Sequence, residues 1–324
     1  MTVLVTGATG FIGGHLVERL VAEGESVRAL VRLGSDASRL AGAELAPGDL
    51  GDPAGLERAA RGCASVYHLA GVTAAVGRRG REFAAVNVEG TRAAARAAAG
   101  SGARRLVLAS SVSVYGNAVR DHRIREGSAI RPETPYGRSK RAAERALREV
   151  SAETGLETVA ARIASVMGPR SRTWNGLFDD VAAGRLRFVG DGENHHHWVD
   201  VDDVVEGLLR CGRTPAAAGR VYTLAGPDPA PLRRLVGWIR EATGGPEPGR
   251  SPLPVTAFAL YGLANRPFSA LARRSLPRYD RVEFFVGDRI FDLARARAEL
   301  DWVPRVPIRE SIARTARARG RGSQ

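Results

Sequence analysis

Short apolar runs alternate with longer Ala-rich amphipathic stretches through the first half of the chain. "VLVT" (3–6), "VRALV" (27–31), "SVYHLA" (65–70), "RLVLAS" (105–110) and "ETVAARI" (157–163) are near-continuous apolar runs of strand length, the pattern of strands covered on both faces. Between them, "GGHLVERLVAEG", "PAGLERAARG", "NVEGTRAAARAAAGSG" and residues 136–154 are helical in pattern. Strand–helix alternation predicts a parallel sheet with helices on both faces. The regularity ends near residue 165. Pro- and Gly-rich loops and isolated helices follow, with one more strand-like run, "RVYTLAG" (220–226), expected to rejoin the sheet. Two regions result: residues 1–165, and a partly interleaved lobe, 166–324, folding back over the sheet edge. Its last residues, 314–324, read as a flexible basic tail.

The glycines between the first strand and the first helix turn this pattern toward a ligand. Gly7, Gly10 and Gly13 sit in "VTGATGFIGGHL". The first permits a tight turn, the second lets backbone approach a pyrophosphate, and the third lets helix and strand pack closely. The helix start, with Phe11 and Ile12, then offers N–H groups and a positive dipole end to phosphates. The fold class is therefore α/β, a Rossmann-type doubly wound parallel sheet with a smaller, mainly C-terminal substrate lobe, and residues 1–165 form its dinucleotide-binding domain. The end of the second strand selects the cofactor. An acid there would hold the ribose hydroxyls of NAD. Val31 and Arg32 stand there instead, and a guanidinium suits adenine and a 2′-phosphate. NADP is favoured, with NAD the alternative. Arg28 either faces the same way or is a solvated strand residue.

Composition narrows the field. Of 324 residues, 44% are apolar and 26% charged, an ordinary soluble globular balance. The net charge of +13 raises the question of nucleic acid, but the Arg residues are scattered and no aromatic-spaced basic motif accompanies them, so no nucleic-acid partner is expected. Cys63 and Cys211 cannot form a disulfide framework, which favours a reducing cytoplasm. No signal peptide or membrane-spanning run is visible. "HHHW" (195–198) invites a metal, but consecutive strand residues alternate faces and no acid or thiol lies at ligand spacing. No metal is expected: one His faces substrate and the others face water. His68 reads as a satisfied buried histidine, and Asp202 and Asp203 as caps of the helix that follows.

The cations hold one oddity. Lys and Arg total 48, and a single one, Lys140, is Lys. It lies four residues after Tyr136, so both share one face of a helix. A free Tyr titrates near ~10; a nearby ammonium lowers that value. Ser111, at the end of the strand "RLVLASS", supplies a hydroxyl to hold a substrate oxygen. Together they provide a proton donor and an oxygen anchor beside a nicotinamide.

The ordered motifs "TGATGFIGGHL", "GDL" (48–50), "HLAG" (68–71), "NVEGT" (87–91), "ASSVSVYG" (109–116), "PYGRSK" (135–140), "RIASVMGPR" (162–170) and "WVDVDDVVEGLL" (198–209) resemble the extended short-chain dehydrogenases, the NAD-dependent epimerase/dehydratase group. The resemblance runs to about residue 305. It implies that Asp49 and Leu50 contact adenine, that Leu69, Ala70, Gly71 and Ala109 line the dinucleotide, and that Asn87 stabilises the sheet and cofactor region. It implies a catalytic trio of Ser111, Tyr136 and Lys140, with Lys140 also on the nicotinamide ribose and Ala164 to Val166 orienting the carboxamide. Dimers pairing two helices per subunit are common in the group, so a homodimer is a further expectation.

Departures from the pattern choose among activities. Sugar 4,6-dehydratases of the group carry Asp-Glu where Val112 and Ser113 stand, and 3,5-epimerase/reductases carry Cys at Ser113. Simple 4-epimerases need only the trio, but they use Asn at Ser165 and Arg at His196. Ser113, Ser165 and His196 are thus candidate substrate residues. "RIASVMGP" and "VRALVR" resemble the branch with dihydroflavonol reductases and 3β-hydroxysteroid dehydrogenases. The expected activity is NADP(H)-dependent carbonyl reduction, or alcohol oxidation, on a fairly apolar small molecule. A nucleotide-sugar 4-epimerase with tightly held NAD is the alternative, followed by a dinucleotide-sensing regulator. Phe258, Leu260, Tyr261 and Phe268 are expected to roof an apolar pocket or to pack in the core.

Overall fold

Strand β1 (Thr2–Thr6) leads through the glycine turn into α1 (Phe11–Ala22), β2 (Ser26–Val31), β3 (Glu44–Pro47), α2 (Pro53–Ala60) and β4 (Ser65–His68). A three-residue helix, α3 (Gly80–Glu82), runs on through a π-helical turn (Phe83–Glu89) into α4 (Gly90–Gly100). Then come β5 (Arg105–Ser111), a 3₁₀ turn (Val112–Tyr115), α5 (Pro135–Thr154) and β6 (Glu157–Ile163). The computed structural model describes residues 1–73, 80–116, 122–247, 254 and 287–321. The aromatic run from Phe258 to Phe268 lies outside them.

The seven-stranded sheet has the order β10-β6-β5-β4-β1-β2-β3, where β10 is Val221–Leu224. Every neighbouring pair is parallel. The order reverses direction between β1 and β4, and that crevice beyond the strand ends is where such sheets take ligands. Strand β3, "ELAP", escapes a hydrophobic-pattern reading because it is a short edge strand, mostly exposed and ending in Pro47.

One apolar layer packs α1 and α7 (Val201–Arg213) on the sheet, with Leu16, Val17, Leu208 and Leu209 buried. The opposite layer uses α2, α4 and α5, and there Ala94, Ala95, Ala97 and Ala98 let α4 lie close to the strands. The lobe has its own core. It joins α6 (Asn175–Ala182), α8 (Leu232–Thr243) and the terminal helix α10 (Ile308–Arg321) to the short strands β7 (Ser165–Met167), β8 (His195–His196), β9 (Trp198–Asp200) and β11 (Ala230–Pro231). Helix α9 (Ala294–Leu300) packs back on the sheet layer through Ala296 and Leu300.

Two sequence expectations are corrected here. Residues 314–321 are helix, not a flexible tail: Ser311 and Thr315 are fully buried, and Thr315 Oγ1 accepts from Gly168 N at 3.0 Å. The Arg residues hid this, yet Arg314 reaches Asp202 and Arg319 reaches Asp179. The cap of α7 is Asp200, whose carboxylate accepts from Asp202 N at 2.8 Å. Asp203 instead accepts from the backbone N–H groups of Arg305 and Val306 at 2.9 and 3.0 Å, pinning the last loop to α7.

Candidate active site

Gly7 turns the chain out of β1 with φ +71°, and a Cβ there would lie 2.5 Å from Ala70 N. At Gly13 a Cβ would lie 2.1 Å from the Gly7 carbonyl. The first turn of α1 therefore presses on the β1 and β4 ends, as close backbone approach requires. Gly10 is exposed at the N-cap, no side chain caps this helix start, and no acid occupies its first turn. An uncapped N-terminus with a positive dipole end fits a pyrophosphate. Leu69, Ala70 and Gly71 continue β4 along the same crevice. Leu50 packs on α4 at Gly90, while the Asp49 carboxylate accepts from Gly51 N at 2.9 Å.

Arg32 is exposed at the end of β2, with no acid beside it in the strand. Arg28 does not face this site. Its guanidinium donates to the carbonyls of Ala59 and Arg61 at 2.9 and 2.8 Å and pairs with Glu44, tying α2 to the sheet.

Helix α5 carries Tyr136 and Lys140. Thr134 caps it, accepting from Gly137 N at 2.9 Å, and Pro135 opens its first turn. Gly137 packs so closely that a Cβ would lie 2.5 Å from the Ser113 carbonyl. Lys140 is buried at 7% exposure; its Nζ donates to the Ala109 carbonyl at 2.7 Å and lies 6.0 Å from the Tyr136 ring centroid. Burial draws its pKa down to about 8, against the field of Glu144.

Tyr136 departs from expectation. Burial pushes its pKa above the ordinary phenol value, and a hydrogen bond from Ser111 is what draws it back. Lys140 spends a proton on the Ala109 carbonyl instead. The Ser111 hydroxyl is set as a donor: its oxygen accepts from Ser113 Oγ at 2.9 Å and from Ser113 N at 3.2 Å. With both lone pairs engaged, its own proton is left to point at Tyr136 or a substrate oxygen.

Asn87 sits in the π-helical turn, 1% exposed. Its amide spans Val72 N and O at 2.8 and 3.1 Å and donates to Ser139 Oγ at 2.9 Å, joining the loop after β4 to α5. Below it, His68 is fully buried. Thr91 Oγ1 gives its proton to the Asn87 carbonyl and so accepts from His68 Nε2, leaving Nδ1 to accept from Thr6 Oγ1 at 2.7 Å. Burial first, then Lys140, drives this neutral imidazole down to about 3.

The histidine run is corrected. His196 and His197 are 3% and 5% exposed, so they do not face water. His197 bridges the Gly226 carbonyl and Phe291 N, at 2.7 and 3.1 Å, and His196 Nε2 meets Asn194 Nδ2 at 3.0 Å. Among the described residues no three His, Cys, Asp or Glu side chains converge as metal ligands. Ser165 and Val166 pair with Trp198 and Val199, and Trp174 donates its indole N–H to the Val166 carbonyl at 3.1 Å while stacking on Trp198.

Sequence reasoning passed over Glu144, Arg162 and Ser110. Glu144 and Arg162 form a forked pair, Nε to Oε1 at 3.0 Å and Nη2 to Oε2 at 2.8 Å, with side chains 0% and 3% exposed. Ser110 Oγ donates to the same carboxylate at 2.6 Å. The available signal was the fourth-residue repeat 136, 140, 144 along α5.

The model of the NAD-dependent epimerase/dehydratase family matches residues 3–225. The chain belongs to that family. It is an NAD(P)-dependent enzyme of the extended short-chain dehydrogenase type within this family of oxidoreductases and epimerases. The sterol demethylase protein B of Methylococcus capsulatus is 32% identical over 94% of this chain and 94% of its own. The 2-alkyl-3-oxoalkanoate reductase of Stenotrophomonas maltophilia is 30% identical over 97% and 98%. The UDP-glucose 4-epimerase of Thermotoga maritima superposes over the whole of both chains with TM-score 0.81 at 24% identity, a likeness of fold. Among the described residues no helix is long and apolar enough to cross a membrane.

Proposed function

We propose that this chain is an NADP(H)-dependent carbonyl reductase, running in reverse as an alcohol dehydrogenase, on a fairly apolar small molecule. The observation that carries the reading is the Ser111 hydroxyl, whose oxygen accepts two bonds from Ser113, together with the buried Lys140 ammonium 6.0 Å from the Tyr136 ring centroid. Ser111 holds the substrate oxygen. Tyr136 passes its proton to that oxygen, and the Lys140 ammonium offsets the negative charge left on the ring. The Gly7–Gly13 turn would hold the pyrophosphate of a nicotinamide dinucleotide, which would supply the hydride when bound. Val112 is apolar and Ser113 is spent on Ser111, so neither supplies the acid–base pair that elimination needs.

Arg32, without an acid beside it, supports NADP over NAD. Trp174 stacked on Trp198 next to Val166 supports an apolar substrate, as do the names of the two relatives. We also place the enzyme in the cytoplasm, on its two buried thiols, and take α4 and α5 as the faces on which two copies would pair.

A panel of alkyl and sterol ketones followed by NADPH absorbance tests the reading. Tyr136→Phe is expected to lower turnover by about 10²- to 10⁴-fold while NADPH still binds, measured by its fluorescence. Full turnover in that variant, or epimerisation of a nucleotide sugar without added cofactor, would overturn it.

A further inference from the structure

We propose that the buried Glu144–Arg162 pair is a positioning device for Tyr136 and Lys140, locking α5 in register over the end of β5 and fixing a negative charge one helical turn from the lysine. The proposal rests on the trio assigned above.

The pair touches every element that carries a member of the site. Glu144 belongs to α5, one turn past Lys140 and two past Tyr136. Its carboxylate accepts from Ser110 on β5, the residue before Ser111. Arg162, on β6, closes the fork and donates its other arm to Tyr115 Oη at 2.9 Å and to the Glu126 carbonyl at 3.1 Å. Tyr115 ends the 3₁₀ turn that holds Ser113 against Ser111. A slip of α5 by one residue would break the bonds from Ser110 and from Arg162 to Glu144 at once. Stability alone does not call for such a pair. Removing two charges from water costs several kcal/mol each, and well-packed apolar residues of similar volume often serve as well.

The surroundings of Lys140 give Glu144 its leverage. From β4 comes His68, held neutral, and from the π-helical turn the Asn87 amide. From β5 come the Ala109 carbonyl and Ser111, and from its own helix the Tyr136 phenol. Arg162 is turned onto Glu144, and Arg141 reaches the same carboxylate at 3.8 Å. Glu144 is the charge that acts on Lys140 and keeps it protonated against burial. Without it the ammonium is lost at lower pH, and Tyr136 loses its cation with it.

The sole lysine makes the test direct. In protein labelled with ¹³C-lysine, the side-chain resonance belongs to Lys140 and reads its titration without turnover. It is expected to titrate at about 8 in the native chain and roughly one unit lower in Glu144→Gln. The alkaline limb of kcat should move down by the same amount, with KM for the carbonyl substrate changed less than about twofold. The double variant Glu144→Leu/Arg162→Met keeps the site filled and foldable should the single variant collapse; it should retain the low Lys140 titration and depressed kcat. An unchanged titration and pH profile in a folded Glu144→Gln protein overturns the proposal. So does native kcat in the double variant. A native protein that reduces no carbonyl, yet whose Lys140 resonance moves in Glu144→Gln, retains the positioning role and removes the reductase reading instead.

Discussion

Two buried arginines on neighbouring strands do opposite jobs. Arg105 opens β5 and is fully buried; it pairs with Glu157, directly across on β6. Its guanidinium also takes the carbonyls of Cys211, Gly212, Thr214 and Pro215, which end α7 and begin the next loop. Arg162 lies across from Ser110, five residues further along the same ladder, or about 17 Å. It takes the carboxylate of Glu144 on α5. Positions 105 and 110 differ by an odd number, so their side chains leave opposite faces of the sheet. The guanidinium at the amino edge satisfies the orphan carbonyls of a helix end. The one at the carboxyl edge secures the helix that carries the chemistry. Burial and pairing do not distinguish the two; the end of the strand does.

The contrast is sharpest at Lys140, the one cation of the carboxyl edge that touches the Ala109 carbonyl. Lys140→Arg keeps the charge but replaces a compact ammonium with a broad planar group. It is expected to lower turnover about a hundredfold with a native melting profile. Native kinetics would mean that this edge tolerates any cation, and the contrast with Arg105 would dissolve. Arg105→Met should do the reverse. It leaves the α7 carbonyls without their donor and should cost about 3 kcal/mol in denaturant unfolding, with turnover per folded molecule unchanged. A loss of kcat without a loss of stability would show that the amino edge reports to the active site.

Acid should expose the same division. His68, under Lys140, is held down to about 3 and His197 to about 4, both by burial, from an ordinary 6.5. The unfolded chain binds protons at these residues below about 6.5 while the folded chain does not. Their stabilisation is therefore complete above 6.5 and is lost as pH falls toward 4. Urea midpoints should decline across that window, and less in a His197→Asn variant that keeps its bonds to Gly226 and Phe291. A flat profile would mean that these imidazoles accept protons in the folded state.

Much of this molecule is legible before any coordinates. The buried parallel strands announce themselves as apolar runs because both faces are covered, and the glycine turn because only Gly fits at 7 and 13. β3 is silent because an exposed edge strand needs no pattern. α10 is silent because its buried positions include Ser311 and Thr315, hydroxyls that bond inward and look polar in sequence. Tyr136 and Lys140 are readable from spacing, but the direction of the tyrosine's pKa is not, since it depends on how far burial outweighs a nearby charge. Glu144 and Arg162 pass for two more surface charges in an Arg-rich chain until the strand register brings them together. The histidine run misleads for the converse reason: β8 and the strand that follows lie largely inside the lobe, so His196 and His197 are buried and His195 alone of the three keeps a partly exposed side chain.

A third arginine gives the smallest and most specific test. Arg32 stands at the carboxyl edge like Arg162, but exposed and at the far side of the crevice, at the end of β2. Among the described residues it caps no helix end and pairs with no carboxylate, so its expected effect passes through a ligand. Solvent screens an exposed guanidinium–phosphate contact to about 1 kcal/mol. Arg32→Ala should accordingly raise KM for NADPH by roughly fivefold, leave KM for NADH and the melting profile unchanged, and lose its effect as salt is raised. An equal change with both cofactors would assign Arg32 to the adenine ring, which they share. No change with either would move cofactor choice from this arginine to the missing acid, so that NADP is admitted by the absence of repulsion rather than drawn in by a cation.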